Sequence, residues 1–266
     1  MVGVAAVPAF GDPVVNLNTA SSFGLLGGTI SITGDATAVA GDVGATTTIT
    51  GFPPGTATGT VFASGNATAV TAYNDFVGAF NTAKGLTSTA TFGDLSASTT
   101  FLGNNVYTTT STAISTVTGI DLTFDAQDNP DAVFIIKVGQ AFTVNGALAF
   151  TLENGAQANH IFWIIGTDAT ISVGSSGPIT FDGNILAGDT FTMSASEGGS
   201  GVLAGTINGC VFAENANTLA GDTNISGGCL ATAGTSDSVP EPGSWGLASL
   251  GLLLGLLAWR KVRVSL

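Results

Sequence analysis

The sequence predicts an all-β protein with one long helix, its strands wound as a β-solenoid. Three observations carry this. Short segments alternate a large apolar residue with Thr, Ser or Ala, the period-two pattern of strands. In the second half such segments recur at intervals of about 20–30 residues. One stretch breaks the pattern, with apolar residues at three- and four-residue steps.

Taken in order, residues 1–11 lack a basic start and a long apolar core. They read as the end of an export signal, with Val7-x-Ala9 as its small-residue cleavage site. The alternative is an N-terminal segment without fixed structure. The body, 12–230, opens with strands at 29–33 and 48–50. In these, Ile30, Ile32 and Ile49 are the inward residues.

From 66 to 85 the apolar residues Val70, Tyr73, Phe76, Val77 and Phe80 share one helical face. Asn66 suits the N-cap, and Gly85 suits a stop just past the last turn. This amphipathic helix is expected to lie along one side of the solenoid and cover apolar surface.

Beyond it, the runs at 132–136, 161–165 and 184–187 resemble one another, and each is followed by a corner containing Gly or Asp. A Thr-bearing strand then comes each time: Phe142-Thr143, Thr170-Ile171-Ser172 and Thr190-Phe191-Thr192. A single such coil cannot bury its apolar side, so stacked coils share one core. Residues 231–238 read as a linker.

Composition narrows the function. The chain has 5 Lys+Arg against 18 Asp+Glu and only 9% charged residues. Three of the basic residues, Arg260, Lys261 and Arg263, lie at the C-terminus, leaving the body with Lys84 and Lys137. No basic patch exists, which excludes nucleic acid as a partner. Cys210 and Cys229 are the two cysteines, and in an exported protein a disulfide between them is the expectation. Free thiols or metal ligation are the alternatives, disfavoured by the single His.

The chain ends in a tail, 239–266. Pro240-Glu241-Pro242 precedes an uncharged apolar run, 245–259, and the basic cluster closes the chain. The run is short for a transmembrane segment, and the basic end would stay cytoplasmic. This order resembles the PEP-CTERM sorting tails of Gram-negative bacteria. The resemblance implies an inner-membrane intermediate and a membrane sorting protease that cuts near the motif. The product would be left at the cell surface or outside the cell. A plain membrane anchor is the alternative.

Several stretches of the body, in order, resemble the bacterial and fungal ice-binding (antifreeze) domain. They are Leu17-Asn18-Thr19-Ala20-Ser21-Ser22-Phe23, Gly41-Asp42-Val43-Gly44 and Ile49-Thr50-Gly51-Phe52-Pro53-Pro54-Gly55, then Ala72-Tyr73-Asn74-Asp75 on the helix. Downstream come Leu122-Thr123-Phe124-Asp125-Ala126-Gln127, Asp131-Ala132-Val133-Phe134-Ile135, Asn154-Gly155-Ala156-Gln157-Ala158, Ile161-Phe162-Trp163 and Gly183-Asn184-Ile185-Leu186-Ala187. The resemblance implies a discontinuous, right-handed solenoid of triangular cross-section with a flanking helix. It also implies that the surface of an ice crystal is the partner and that ice growth or recrystallisation is inhibited. The pattern departs from the family near 194–200, an acidic Gly-rich insertion.

The site follows from parity. Phe142, Ile171, Phe191 and Leu219 must point inward, so Thr143, Thr170, Ser172, Thr190, Thr192 and Thr218 point outward. The N-terminal strands add Thr29, Ser31, Thr48 and Thr50. Thr suits an ordered-water surface: its β-branch restricts χ1, and it carries a methyl beside a hydroxyl. Thr is also favoured on any solvated strand. A structural or adhesive matrix protein associated with exopolysaccharide is the competing function. His160 stands alone, and no nucleophile, base and carboxylate fall into a catalytic order, so neither an enzyme nor a cofactor is expected. Asp121, Asp125, Asp128 and Asp131 suit calcium by composition but turns by context.

Overall fold

A computed structural model describes residues 14–116, 118–173, 177–195, 203–229 and 232–233. The chain divides into two units, 1–235 and 236–266. Residues 1–11, the insertion from 196 onward to 200, the sorting motif and the apolar run 245–259 lie outside the described residues. Among the described residues no helix is long and apolar enough to cross a membrane.

The body begins with β1 (Val15–Asn16), a 3-10 turn (Asn18–Ser22), β2 (Phe23–Ile32), β3 (Ala38–Val39), β4 (Asp42–Thr50) and β5 (Thr56–Ala57). The helix α1 (Ala67–Gly85) follows. After it come β6 (Ala90–Phe92), β7 (Thr99–Leu102), β8 (Asn105–Thr109), β9 (Ile114–Ser115) and β10 (Ile120–Asp125). Then come β11 (Phe134–Val138), β12 (Phe142–Asn145), β13 (Leu148–Glu153), β14 (Ile161–Ile165), β15 (Ala169–Val173) and β16 (Ile179–Asp182). The last are β17 (Asn184–Ala187), β18 (Thr190–Ala195), β19 (Leu203–Asn208), β20 (Val211–Ala220), β21 (Asp222–Ile225) and β22 (Thr232–Ala233).

Successive passes of the chain lay these strands into parallel ladders. The helix-side ladder runs β6, β8, β11, β14, β17, then the first halves of β20, β2 and β4. The outer ladder runs β9, β12, β15, β18, then the second halves of the same three strands. A third set comprises β7, β10 and β13, and then β16, β19, β21, β3 and β5. The N-terminal strands therefore stack on β20, far away in sequence. Among the described residues, only β1 and β22 pair antiparallel.

One parity of residues fills the interior. Ile136, Trp163 and Ile185 are successive register partners there, joined by Phe142, Ile171 and Phe191 from the outer ladder. Trp163 stacks on Phe142 at 5.1 Å and donates its indole N–H to the carbonyl of Asp182. In the helix-side ladder the opposite parity is also apolar: Ile135, Phe162, Leu186, Phe212 and Leu26 meet α1. That double burial explains its unbroken hydrophobic runs.

α1 has 19 residues, a length of about 28 Å. Its course is fixed at four points. Ala69 lies against Gly44 of β4, where an added Cβ would sit 2.8 Å from the alanine methyl. Phe76 packs edge-on against Phe212 of β20 at 5.4 Å, and Phe80 lies beside Gly188 after β17. At the C-terminus Lys137 of β11 donates to the carbonyls of Lys84 and Leu86. From β4 to β11 is five ladder steps, about 24 Å, so the helix bridges most of the stack.

Asn66 caps the helix as expected, accepting from the Thr68 amide at 2.9 Å. Two details of the sequence reading change. Gly85 is the last helical residue, with Leu86 as the cap, because Lys137 satisfies the terminal carbonyls. The buried stripe is Ala69, Ala72, Phe76, Ala79, Phe80 and Ala83, with Val70, Tyr73 and Val77 only at its margins. Small side chains let the helix approach the ladder closely. The stretch between α1 and β11 also holds strands that its many Thr, Ser, Asn and Asp residues disguise.

Candidate functional site

The outer ladder has two sides of opposite character. Its inward residues, Ile114, Phe142, Val144, Ala169, Ile171, Val173, Phe191, Met193, Leu219, Ile30 and Ile32, are buried. Large side chains locked in the core fix the strand parity, and that parity holds the intervening residues outward.

Ladder register then aligns the outward residues into columns. The central column is Ser115, Thr143, Thr170, Thr192, Thr218, Ser31 and Thr50, each the direct partner of the next. One flank is Thr190, Ala216, Thr29 and Thr48. The other is Asn145, Ser172, Ser194 and Ala220. The spacing is about 4.8 Å down a column and about 6.5–7 Å between columns. Mid-ladder side chains are half-buried by their neighbours, whereas Thr48, Thr50 and Ser115 at the ends are exposed.

All ten candidate residues read from the sequence, Thr29, Ser31, Thr48, Thr50, Thr143, Thr170, Ser172, Thr190, Thr192 and Thr218, fall in these columns. The same columns hold Ser115, Asn145, Ser194, Ala216 and Ala220, which that reading omits. Period two carried one step further along each strand reaches Asn145, Ser194, Ala216 and Ala220. Ser115 lies on a two-residue strand that has no such signal.

None of these outward positions is charged. Asp168, at the corner before β15, accepts the Thr190 hydroxyl at 2.6 Å. Thr50 donates to the Ile30 carbonyl, and Asn145 donates its amide to the Ser115 hydroxyl at 3.0 Å. Among the described residues the hydroxyls of Thr143, Thr170, Thr192, Thr218 and Ser31 make no side-chain hydrogen bond within the protein. They are left to water.

The remaining chemistry-bearing residues serve the fold. Asp125 accepts from the Gln127 amide and from the Asn154 side chain, and these bonds lower its pKa, Asn154 contributing most. Asp128 has φ of 63°, a corner conformation. Among the described residues no His, Cys, Asp and Glu cluster could hold a metal ion. His160 is buried, its Nδ1 has no partner among the described residues, and burial lowers its pKa. Asp182 is buried, with its pKa raised by desolvation despite a 2.7 Å bond from Asn208. Cys210 and Cys229 form the disulfide, with Cα atoms 5.2 Å apart. The bond joins the start of β20 to the residue stretch beyond β21, closing one pass of the stack into a ring.

A family model described as ice-binding-like matches residues 25–235. The chain belongs to the ice-binding-like family. An ice-binding protein of Nostoc sp. (strain HG1) is 33% identical over 250 residues, covering 92% of this chain and 86% of that protein. One from Flavobacterium frigoris is 32% identical, covering 77% and 74% respectively. Among solved structures, the ice-binding protein of Antarctomyces psychrotrophicus superposes with a TM-score of 0.67 at 29% identity. It matches 80% of this chain and 99% of that one. An ice-binding protein from an Antarctic biological consortium gives a TM-score of 0.68 at 26% identity, covering 84% and 95%. Residues 238–263 match the PEP-CTERM protein-sorting motif. In this ice-binding-like chain the sorting motif supports export through a sorting pathway.

Proposed function

We propose that this protein is exported and adsorbs to ice through the outer ladder, so limiting ice growth or recrystallisation. The observation that carries the reading is the central column: hydroxyl-bearing residues in unbroken register, with no charge among or beside them on the strands. Ice is a lattice, and a surface with two fixed repeats can meet it at many points at once. Each contact is weak, and their sum holds the protein in place. A charged side chain would orient water around itself, whereas a Thr methyl and hydroxyl tolerate an ordered layer. The reading needs no catalytic group and no cofactor.

On this reading the three sets of ladders are the sides of a right-handed solenoid of triangular section. Residues 12–230 form the working domain and 231–238 a linker. Within the tail, 245–259 spans the inner membrane transiently, and cleavage near Pro240, Glu241 and Pro242 leaves the domain at the cell surface or outside the cell.

A recrystallisation assay tests the function. Ice grains are expected to stay small in the protein's presence; coarsening as fast as in a control protein overturns the reading. Thr170→Tyr with Thr192→Tyr places two large side chains mid-column. A folded double variant that keeps full activity would show that the outer ladder is not the site.

A further inference from the structure

The columns of the outer ladder are not equivalent. In the flank that begins at Thr190, the first hydroxyl is held by Asp168, and the next position, Ala216, has none. In the other flank Asn145 spends its amide on Ser115, and the column ends on Ala220. Both alanines belong to β20 and stand on either side of Thr218, so at this strand the hydroxyl surface is one residue wide. The central column has no such gap. From Thr143 through Thr170, Thr192 and Thr218 to Ser31 its unengaged hydroxyls continue over four ladder steps, about 19 Å.

We infer that ice is recognised along this one direction, by the central column, and that Ala216 and Ala220 set the limit on recognition across the strands. The inference rests on the ice-binding reading above. Contacts held on one rigid frame multiply their effects, so an uninterrupted run outweighs the same number of scattered groups. The flanks offer at most short runs, such as Thr29 followed by Thr48. Both alanines are half-buried strand residues, and Thr is a better strand former than Ala at such positions. Ala216→Thr with Ala220→Thr would therefore widen the site at its narrowest strand.

The test compares full-length variants by the lowest concentration that stops ice grains from coarsening, with thermal unfolding confirming the fold of each. Thr170→Ala with Thr192→Ala should raise that concentration roughly tenfold or more, and Thr29→Ala with Thr48→Ala by no more than about twofold. Ala216→Thr with Ala220→Thr should lower it by about twofold or more. Equal losses in the two alanine pairs would overturn the inference even if the filled variant failed to fold. A folded filled variant with unchanged activity would overturn the role of the alanines. Wild-type protein with no effect on the grains would instead sink the ice-binding reading itself, so the two failures are distinguishable.

Discussion

Within β20, β2 and β4 the two halves of one strand belong to different surfaces. The first half of β20 turns Phe212 outward onto the helix; the second half turns Thr218 outward to solvent. Inward, both halves contribute to the same apolar interior through Val211, Ala213 and Leu219. The difference lies wholly in the residues of outward parity. Large apolar side chains recruit a helix, and small hydroxyl-bearing ones leave a ladder open. One backbone arrangement thus yields a helix-covered side and an open, hydroxyl-bearing side.

That contrast can be broken from the helix-covered side first. Phe76→Ala, which empties the contact with Phe212, should cost about 3–5 kcal/mol and lower the unfolding temperature markedly, as calorimetry would record. Removing the disulfide by Cys210→Ser with Cys229→Ser should cost about 3 kcal/mol in chemical denaturation. Asn217→Ala comes next. Asn217 is buried at an inward position and donates to the Leu26 carbonyl at 2.9 Å, tying β20 to β2. Its loss should cost about 1–3 kcal/mol by denaturant titration.

Asp182→Asn should have a smaller effect with a distinct pH signature. Burial raises the Asp182 pKa in the folded state, so its contribution is most favourable in acid and is lost as pH rises through the folded value. The asparagine variant should gain stability relative to wild type between acid and neutral pH; a constant difference across that range would refute the assignment. Smallest of all, Thr170→Tyr with Thr192→Tyr should shift stability by no more than about 0.5 kcal/mol, because these side chains face outward. A large loss there would erase the distinction between the two sides.

The open side was legible because its inward partners are unmistakable: Phe142, Ile171, Phe191 and Leu219 set the parity, and Thr143, Thr170, Thr192 and Thr218 follow. What the sequence hides is how strands distant in the chain come into register. The join of β2 to β20 includes a bond from Asn217, an amide where an apolar residue would be expected. Ser115 sits on a strand too short to show a period. The helix misleads differently, since its large apolar residues draw the eye while alanines make the closest contacts.

The disulfide has a consequence beyond stability. Because it closes the pass from Cys210 to Cys229 into a covalent loop, that pass cannot be unwound by pulling or trimming from the C-terminal end. Downstream, the described structure adds only the two-residue pairing of β22 with β1. A force or a cut applied to the tail can peel that pairing away and is then grounded at Cys229. Such a load passes through the disulfide to Cys210, so the residues between the two cysteines, Thr218 among them, lie off its path.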